Sequence, residues 1–128
     1  GNVTHVDESR RVVVTSSPLL WGEAIPACIP RPVDLILGAD LLLPYAPELF
    51  RPLCETVREL LGDPAHGGTA LLAYEVRFDC AQFFRCCEEC GLEVVRVPEE
   101  ALHEKYNDPG KLCVLQLRAT DTQTRGNE

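Results

Sequence analysis

The chain has 128 residues, of which 45% are hydrophobic and 25% are charged, and its formal net charge is −8. These values describe one globular domain that is long enough to bury a core of its own. The negative charge and the scattered lysine and arginine residues argue against a nucleic-acid partner. No apolar stretch reaches the roughly 20 residues of a membrane-spanning helix.

The first predicted elements are a short strand and a long connection. Residues 11–15 (RVVVT) predict the strand, and the proline-rich residues 16–32 follow with the only tryptophan, Trp21. An indole in a loop either fills a gap in the core or offers a flat face to a planar or cationic ligand. Because tryptophan side chains are highly buried on average, core packing is the more frequent outcome.

Strands and helices then alternate. The continuous apolar run at residues 33–37 predicts a strand that is buried on both faces. Apolar residues at helical spacing predict a helix over residues 47–61 that Gly62 closes. A second buried strand is predicted over residues 69–74, and a second helix over residues 80–90.

The last part of the chain adds two strands. Residues 92–97 and the alternating residues 111–118 predict strands, and the polar stretch between them contains no predicted helix. Helical crossovers make the strands they join parallel neighbours, whereas a loop returns the chain antiparallel. We therefore predict an α/β fold with a mostly parallel sheet, helices on its faces and one reversed strand at or near an edge.

The seven cysteines are an odd number, and the polar N-terminus does not resemble a secretory signal. We interpret them as reduced thiols of a cytosolic or nuclear protein.

Cys87 and Cys90 have a spacing that metal ligands use. On a helix, however, Cys80 and Cys87 lie about 10 Å apart along the axis, too far to share one ion. We therefore expect these side chains to pack in the core and expect no metal site.

The candidate site lies where two predicted strands end. In open α/β sheets, ligands bind beyond the carboxyl ends of the strands. The strand at residues 33–37 leads into Gly38 and Asp40, and the next strand leads into Glu75 and Arg77. If these strands are neighbours, all three charged side chains emerge at one rim, and Gly38 lets another group approach the backbone closely. The alternative is that Asp40 caps a helix turn and that Glu75 and Arg77 form a surface ion pair.

Several motifs, in this order, resemble a known family. They are LLWGE, VDLILGAD, FRPLCETV, YEVR and HEKY, and they extend from about residue 19 to residue 117. They resemble the methyltransferase-like family 21 group, including the valosin-containing-protein lysine methyltransferase group. These are seven-strand, S-adenosylmethionine-dependent protein methyltransferases. The resemblance implies a Rossmann-like sheet, of which this chain holds the C-terminal part, and methyl transfer to a lysine side chain of a protein substrate.

The resemblance also implies roles for residues on the cofactor side. Trp21 matches the family tryptophan that flanks the adenine of the cofactor, and Ala39 matches the alanine whose backbone lies against it. The family's glycine-rich cofactor motif should precede Trp21, and this chain contains no G-x-G-x-G. We therefore expect residues 1–128 to form a single incomplete methyltransferase domain without the N-terminal cofactor-binding strands. Alone, it should bind the cofactor poorly.

On the substrate side, Asp40 matches the acidic residue that opens the family's acidic-x-x-Tyr motif at the mouth of the lysine channel. The tyrosine position of this motif holds Leu43, and Tyr45 follows two residues later as the candidate replacement. Glu75 and Arg77 match rim residues that shape substrate binding. The resemblance thus implies Asp40 and Tyr45 as the catalytic residues.

The implied partners and location complete the hypothesis. The resemblance implies a monomer that acts on a protein substrate, such as a chaperone or an ATPase, in the cytoplasm and also in the nucleus. The net charge of −8 and the absence of a long apolar stretch in the sequence lead us to expect no contact with nucleic acid or membrane. The alternative is a catalytically silent interaction module that has kept the sheet of a methyltransferase and lost its cofactor site.

Overall fold

A computed structural model describes residues 4–7, 12–43, 45–75, 81–98, 101 and 112–121. Six strands and two α-helices are present in these ranges. In chain order they are β1 (Thr4–Asp7), β2 (Val12–Thr15), β3 (Leu35–Ala39), α1 (Phe50–Leu61), β4 (Thr69–Glu75), α2 (Ala81–Glu89), β5 (Leu92–Arg96) and β6 (Leu112–Ala119). Short 3₁₀ turns at Pro47–Leu49 and Pro64–His66 precede α1 and β4.

The main sheet has the order β3–β4–β6–β5. The pairing of β3 with β4 is parallel, whereas β6 is antiparallel to both β4 and β5. The prediction that the last strand is reversed is therefore confirmed. The prediction of a mostly parallel sheet is wrong, because β6 lies between β4 and β5 and makes two of the three pairings antiparallel.

Burial explains why β6 takes the interior position. Its side chains Cys113, Leu115 and Leu117 are all almost fully buried. The shorter β5 has exposed side chains at Val95 and Arg96, and an edge position tolerates them. The crossover through α2 thus skips one position in the sheet, and the reversed strand fills it.

Both helices pack on the same face of this sheet. One hydrophobic cluster joins Leu53 and Val57 of α1, Phe83 of α2 and Leu72 of β4. The rings of Phe50 and Phe83 meet edge to face with their centroids 5.7 Å apart. The helix-covered face of the sheet is therefore the core of the domain, and burial of its apolar side chains is the main stabilising contribution.

The opposite face of the sheet remains open among the described residues. Leu35 and Leu37 of β3 are 55% and 72% exposed. The prediction that this strand is buried on both faces is wrong, because α1 and α2 cover only the side on which Ile36 and Gly38 lie. We call this uncovered side the open face.

The N-terminal residues form a separate hairpin. The predicted strand at residues 11–15 is confirmed as β2, which pairs antiparallel with β1 in a register that sets Thr4 opposite Thr15. β1 was not predicted from the sequence. No helix in the described ranges is both long enough and apolar enough to span a bilayer.

Because the two faces of the sheet differ in burial, a leucine-to-alanine substitution should destabilise the protein much more on the covered face than on the open face. Leu72→Ala removes a side chain that is 2% exposed on the covered face and should lower the free energy of unfolding by about 3 kcal/mol. Leu37→Ala, on the open face, should cost less than about 1 kcal/mol. Urea unfolding followed by circular dichroism measures both. Equal losses for the two variants would contradict the one-sided core.

Candidate functional site

The carboxyl ends of β3 and β4 lie side by side. Ala39 is opposite Ala73 in the parallel pair, and the backbone N–H of Asp40 donates a hydrogen bond to the Ala73 carbonyl oxygen at 2.9 Å. Glu75 is the last residue of β4. The structure thus brings Asp40 and Glu75 to the same edge of the sheet. Arg77, the third charged residue predicted at this rim, lies outside the described residues.

Asp40 has an unusual backbone conformation. Its φ of 57° makes it the one described non-glycine residue in the left-handed region, which aspartate and asparagine tolerate better than most residues. Its side chain is exposed. The alternative that Asp40 caps a helix turn is wrong, since Ala46 and Leu49 hold the N-cap positions of the 3₁₀ turn and of α1.

Gly38 allows a close approach, as its position in the sequence predicted. A Cβ atom on this residue would lie 2.6 Å from Cδ1 of Leu41 and 2.9 Å from Cδ2 of Leu72. The group that approaches the backbone is therefore the side chain of Leu41. Leu41 is partly buried and packs against the core cluster on the covered face.

Tyr45 and Trp21 lie in different surroundings. The side chain of Tyr45 is 81% exposed, which leaves its ring in solvent. Trp21 is partly buried and packs against the hydrophobic core, as expected for a core-filling residue. The catalytic role of Tyr45 and the cofactor contact of Trp21 remain predictions.

The turn that carries Trp21 is fixed to α1. Gly22 donates its backbone N–H to Thr56 Oγ1 at 2.8 Å. A φ of 77° and the nearby Pro52, 3.0 Å from where a Cβ would stand, make glycine the residue that this turn requires. The contact of Gly22 with α1 therefore fixes the turn that carries Trp21.

A hollow of about 290 Å³ lies on the open face beside the end of β3. All of its lining residues are apolar. They are Leu37, Gly38, Ala39, Leu71, Ala73 and Val114. The sequence pointed to Gly38 and Ala39 but missed the other four. Leu37 is two residues before Ala39 and thus on the same face, whereas Val114 is adjacent only because β6 pairs with β4.

A comparison of the sequence with protein-family models assigns the chain to a known family. The model of a lysine methyltransferase family matches residues 2–89, and the chain belongs to this family. A comparison with curated proteins found no match. The matched range contains Trp21, Ala39, Asp40 and Glu75, which the sequence motifs had pointed to.

Methyltransferase chemistry in general uses S-adenosylmethionine as the methyl donor. The hollow fits this cofactor only in part. It offers an apolar wall beside Ala39, but its lining side chains carry no donor or acceptor for the ribose hydroxyls or the charged methionyl group. The described residues of the hollow therefore do not fit the whole cofactor.

A second hollow, of about 460 Å³, runs along α1 from Arg51 to Gly62 and is also lined by Cys90. The charged side chains around it are paired. Arg51 Nη1 lies 2.8 Å from Glu89 Oε1 and joins α1 to α2, and Arg58 donates to the carbonyl oxygens of Gly62 and Thr120. These contacts tie the helices to each other and to the end of β6, so their role is structural.

The cysteines between the helices are packed as the sequence predicted for Cys87. The sulfur atoms of Cys54 and Cys87 lie 3.6 Å apart, and both side chains are fully buried. The hydrogen bond to Cys87, and then burial, raise the pKa of Cys54 far above its usual range, and burial raises the pKa of Cys90 to about 11. Cys80 lies outside the described residues, and within them no three potential ligands are grouped around a metal position.

These pKa values predict a slow reaction of Cys90 with iodoacetamide. At pH 8, a pKa of about 11 leaves about 0.1% of this thiol as the reactive thiolate. The exposed Cys28 should therefore be alkylated first, and the rate at Cys90 should still increase about tenfold per pH unit up to pH 10. Peptide mass spectrometry resolves the two sites, and unfolding in urea provides the control because it should equalise them. A plateau for Cys90 near pH 9 in the folded protein would contradict the prediction.

Proposed function

We propose that this protein is an S-adenosylmethionine-dependent protein-lysine N-methyltransferase of the methyltransferase-like family 21 group, close to the valosin-containing-protein lysine methyltransferase group. The family match over residues 2–89 carries the proposal. The position of Asp40 and Glu75 at one edge of the sheet, next to an apolar hollow, supports it. Open α/β sheets bind ligands at such an edge.

Transfer of a methyl group to lysine requires a neutral amine. Lysine has a reference pKa of about 10.4, so only about 0.04% of it is neutral at pH 7. The cofactor supplies an electrophilic methyl group on a sulfonium. Everything else in the reaction is alignment of the amine and loss of its proton.

In this proposal, the carboxylate of Asp40 accepts a hydrogen bond from the lysine amine and orients it. A carboxylate alone raises the pKa of a nearby amine, so the apolar wall formed by Leu37, Ala39 and Val114 must oppose this effect. Desolvation against such a wall lowers the pKa of an amine. The amine proton then passes to water, and Tyr45 is the proposed wall of the lysine channel.

The proposed substrate is a protein with an accessible lysine, and a chaperone or an ATPase is the proposed class. Glu75 and Arg77 are the proposed substrate contacts at the rim. The net charge of −8 suits a cationic acceptor segment. We further propose that the enzyme is a monomer and acts in the cytoplasm and the nucleus, without nucleic-acid or membrane contacts.

A second candidate function is a catalytically silent interaction module derived from a methyltransferase. The observation that favours it is the apolar lining of the hollow, which has no polar side chain for the cofactor's ribose. Because residues 1–128 alone are expected to bind the cofactor poorly, calorimetric titration with S-adenosylmethionine distinguishes the two functions in a protein that also carries the N-terminal cofactor-binding strands. Binding heat supports the enzyme, whereas no heat and no thermal shift support the silent module.

In the full-length enzyme with its N-terminal cofactor-binding strands, the proposal predicts that Asp40→Asn lowers methyl transfer on the order of 100-fold or more. Asparagine keeps the left-handed backbone accessible and removes the charge, so the melting temperature should change little. The measurement is incorporation of a labelled methyl group into lysine peptides on an array.

Glu93→Gln is the matched control, because Glu93 is an exposed carboxylate of β5 and far in the sheet order from β3. It should leave transfer unchanged. Transfer by Asp40→Asn at the wild-type rate would refute the role of Asp40.

A further inference from the structure

The turn after β3 is built around one side-chain contact. Leu41 folds back over Gly38 so closely that a Cβ atom on Gly38 would lie 2.6 Å from its Cδ1 atom. The same Cβ would lie 2.9 Å from Cδ2 of Leu72, which belongs to the neighbouring strand. Leu41 therefore occupies a seat formed by the bare backbone of Gly38 and the side chain of Leu72.

Asp40 is held on both sides. Before it, β3 fixes Ala39 opposite Ala73, and the N–H of Asp40 itself bonds to the Ala73 carbonyl oxygen. After it, Leu41 is seated over Gly38. The left-handed φ of 57° at Asp40 is the conformation that turns the chain between these two attachments. A sparsely populated backbone conformation persists only where the surrounding structure imposes it.

We propose that Leu41, seated over Gly38, is a positioning element that sets the backbone conformation of Asp40 and thereby the direction of its carboxylate at the sheet edge. Gly38 and Leu41 are thus positioning residues, which act through Asp40. The catalytic consequence rests on the proposed function, but the effect on the Asp40 backbone does not.

Gly38→Ala tests whether the contact of Leu41 with Gly38 sets the backbone conformation of Asp40. The added Cβ meets the flexible end of Leu41, which can rotate away, so the fold should survive while Leu41 leaves its seat. Two nuclear magnetic resonance readouts of the protein without ligand report on Asp40. The HN–Hα coupling reports its φ, and the amide exchange rate reports the bond to Ala73. Both should change in Gly38→Ala.

Gly68→Ala is the matched control. A Cβ on Gly68 would lie 2.5 Å from the backbone oxygen of Val33, an atom that cannot rotate away. Gly68 precedes β4, at the opposite end of the sheet from Asp40. Gly68→Ala should therefore lower the melting temperature more than Gly38→Ala does and yet leave the Asp40 coupling at its wild-type value.

The double variant Gly38→Ala/Leu41→Ala provides the rescue. Truncating Leu41 removes the closer of the two clashes, at 2.6 Å, and leaves the 2.9 Å contact with Cδ2 of Leu72. The alanine methyl group fills part of the vacated seat. The change in the Asp40 exchange rate should be smaller than the sum of the changes in the two single variants. Additive changes would show that the two residues do not act through one contact.

Activity adds the catalytic readout. Gly38→Ala should lower kcat for methyl transfer on the order of 10- to 100-fold with a smaller change in KM for the peptide, because it displaces Asp40 without removing it. Gly68→Ala should keep the wild-type kcat below its melting temperature.

The two proposals fail differently. If the full-length wild type, with its N-terminal cofactor-binding strands, transfers no methyl group while Gly38→Ala still changes the Asp40 coupling, the proposed function fails and the positioning element stands. If Gly38→Ala leaves the coupling and exchange of Asp40 at their wild-type values, the positioning element is overturned whatever the activity.

Discussion

The parallel pairing of β3 with β4 is the constraint on which the candidate site depends. It aligns Ala39 with Ala73, directs the N–H of Asp40 to the Ala73 carbonyl oxygen, and brings the end of β3 next to Glu75. Because β6 pairs with the other side of β4, Val114 also reaches the hollow beside Ala39. A register shift of one residue would move each of these side chains to the opposite face.

The helices cover only one face of the sheet, and this places the candidate site where a buried surface meets an open one. Both helices and the largest buried side chains lie on one face, and the apolar hollow lies on the other, next to the residue that we propose as catalytic. The chain crosses from one face to the other within three residues, since Ala39 lines the hollow and Leu41 packs on the core. Asp40 stands between them, where buried and open surfaces meet.

The residue type at position 40 serves the backbone as well as any chemistry. Aspartate adopts a left-handed conformation at lower cost than most residues, so its presence alone does not show that its charge is used. The family match and the neighbouring Glu75 are what favour a chemical role. Trp21 presents the same ambiguity, because the ring is held by core packing and by a turn bonded to α1.

The sequence by itself determined the local elements and the ends at which chemistry was expected. The spacing of apolar residues and Gly62 predicted α1, and the alternation of apolar and polar residues predicted β6. The glycine and the aspartate that follow the apolar run of β3 pointed to Asp40. These signals depend only on residues that are neighbours along the chain. Only the tertiary structure decided that β6 lies inside the sheet, that the open face exposes Leu37, and that Leu41 fills the space above Gly38. Strand order, one-sided cover and side-chain contact depend on competition for burial between segments distant in sequence, and no local pattern records the outcome of that competition.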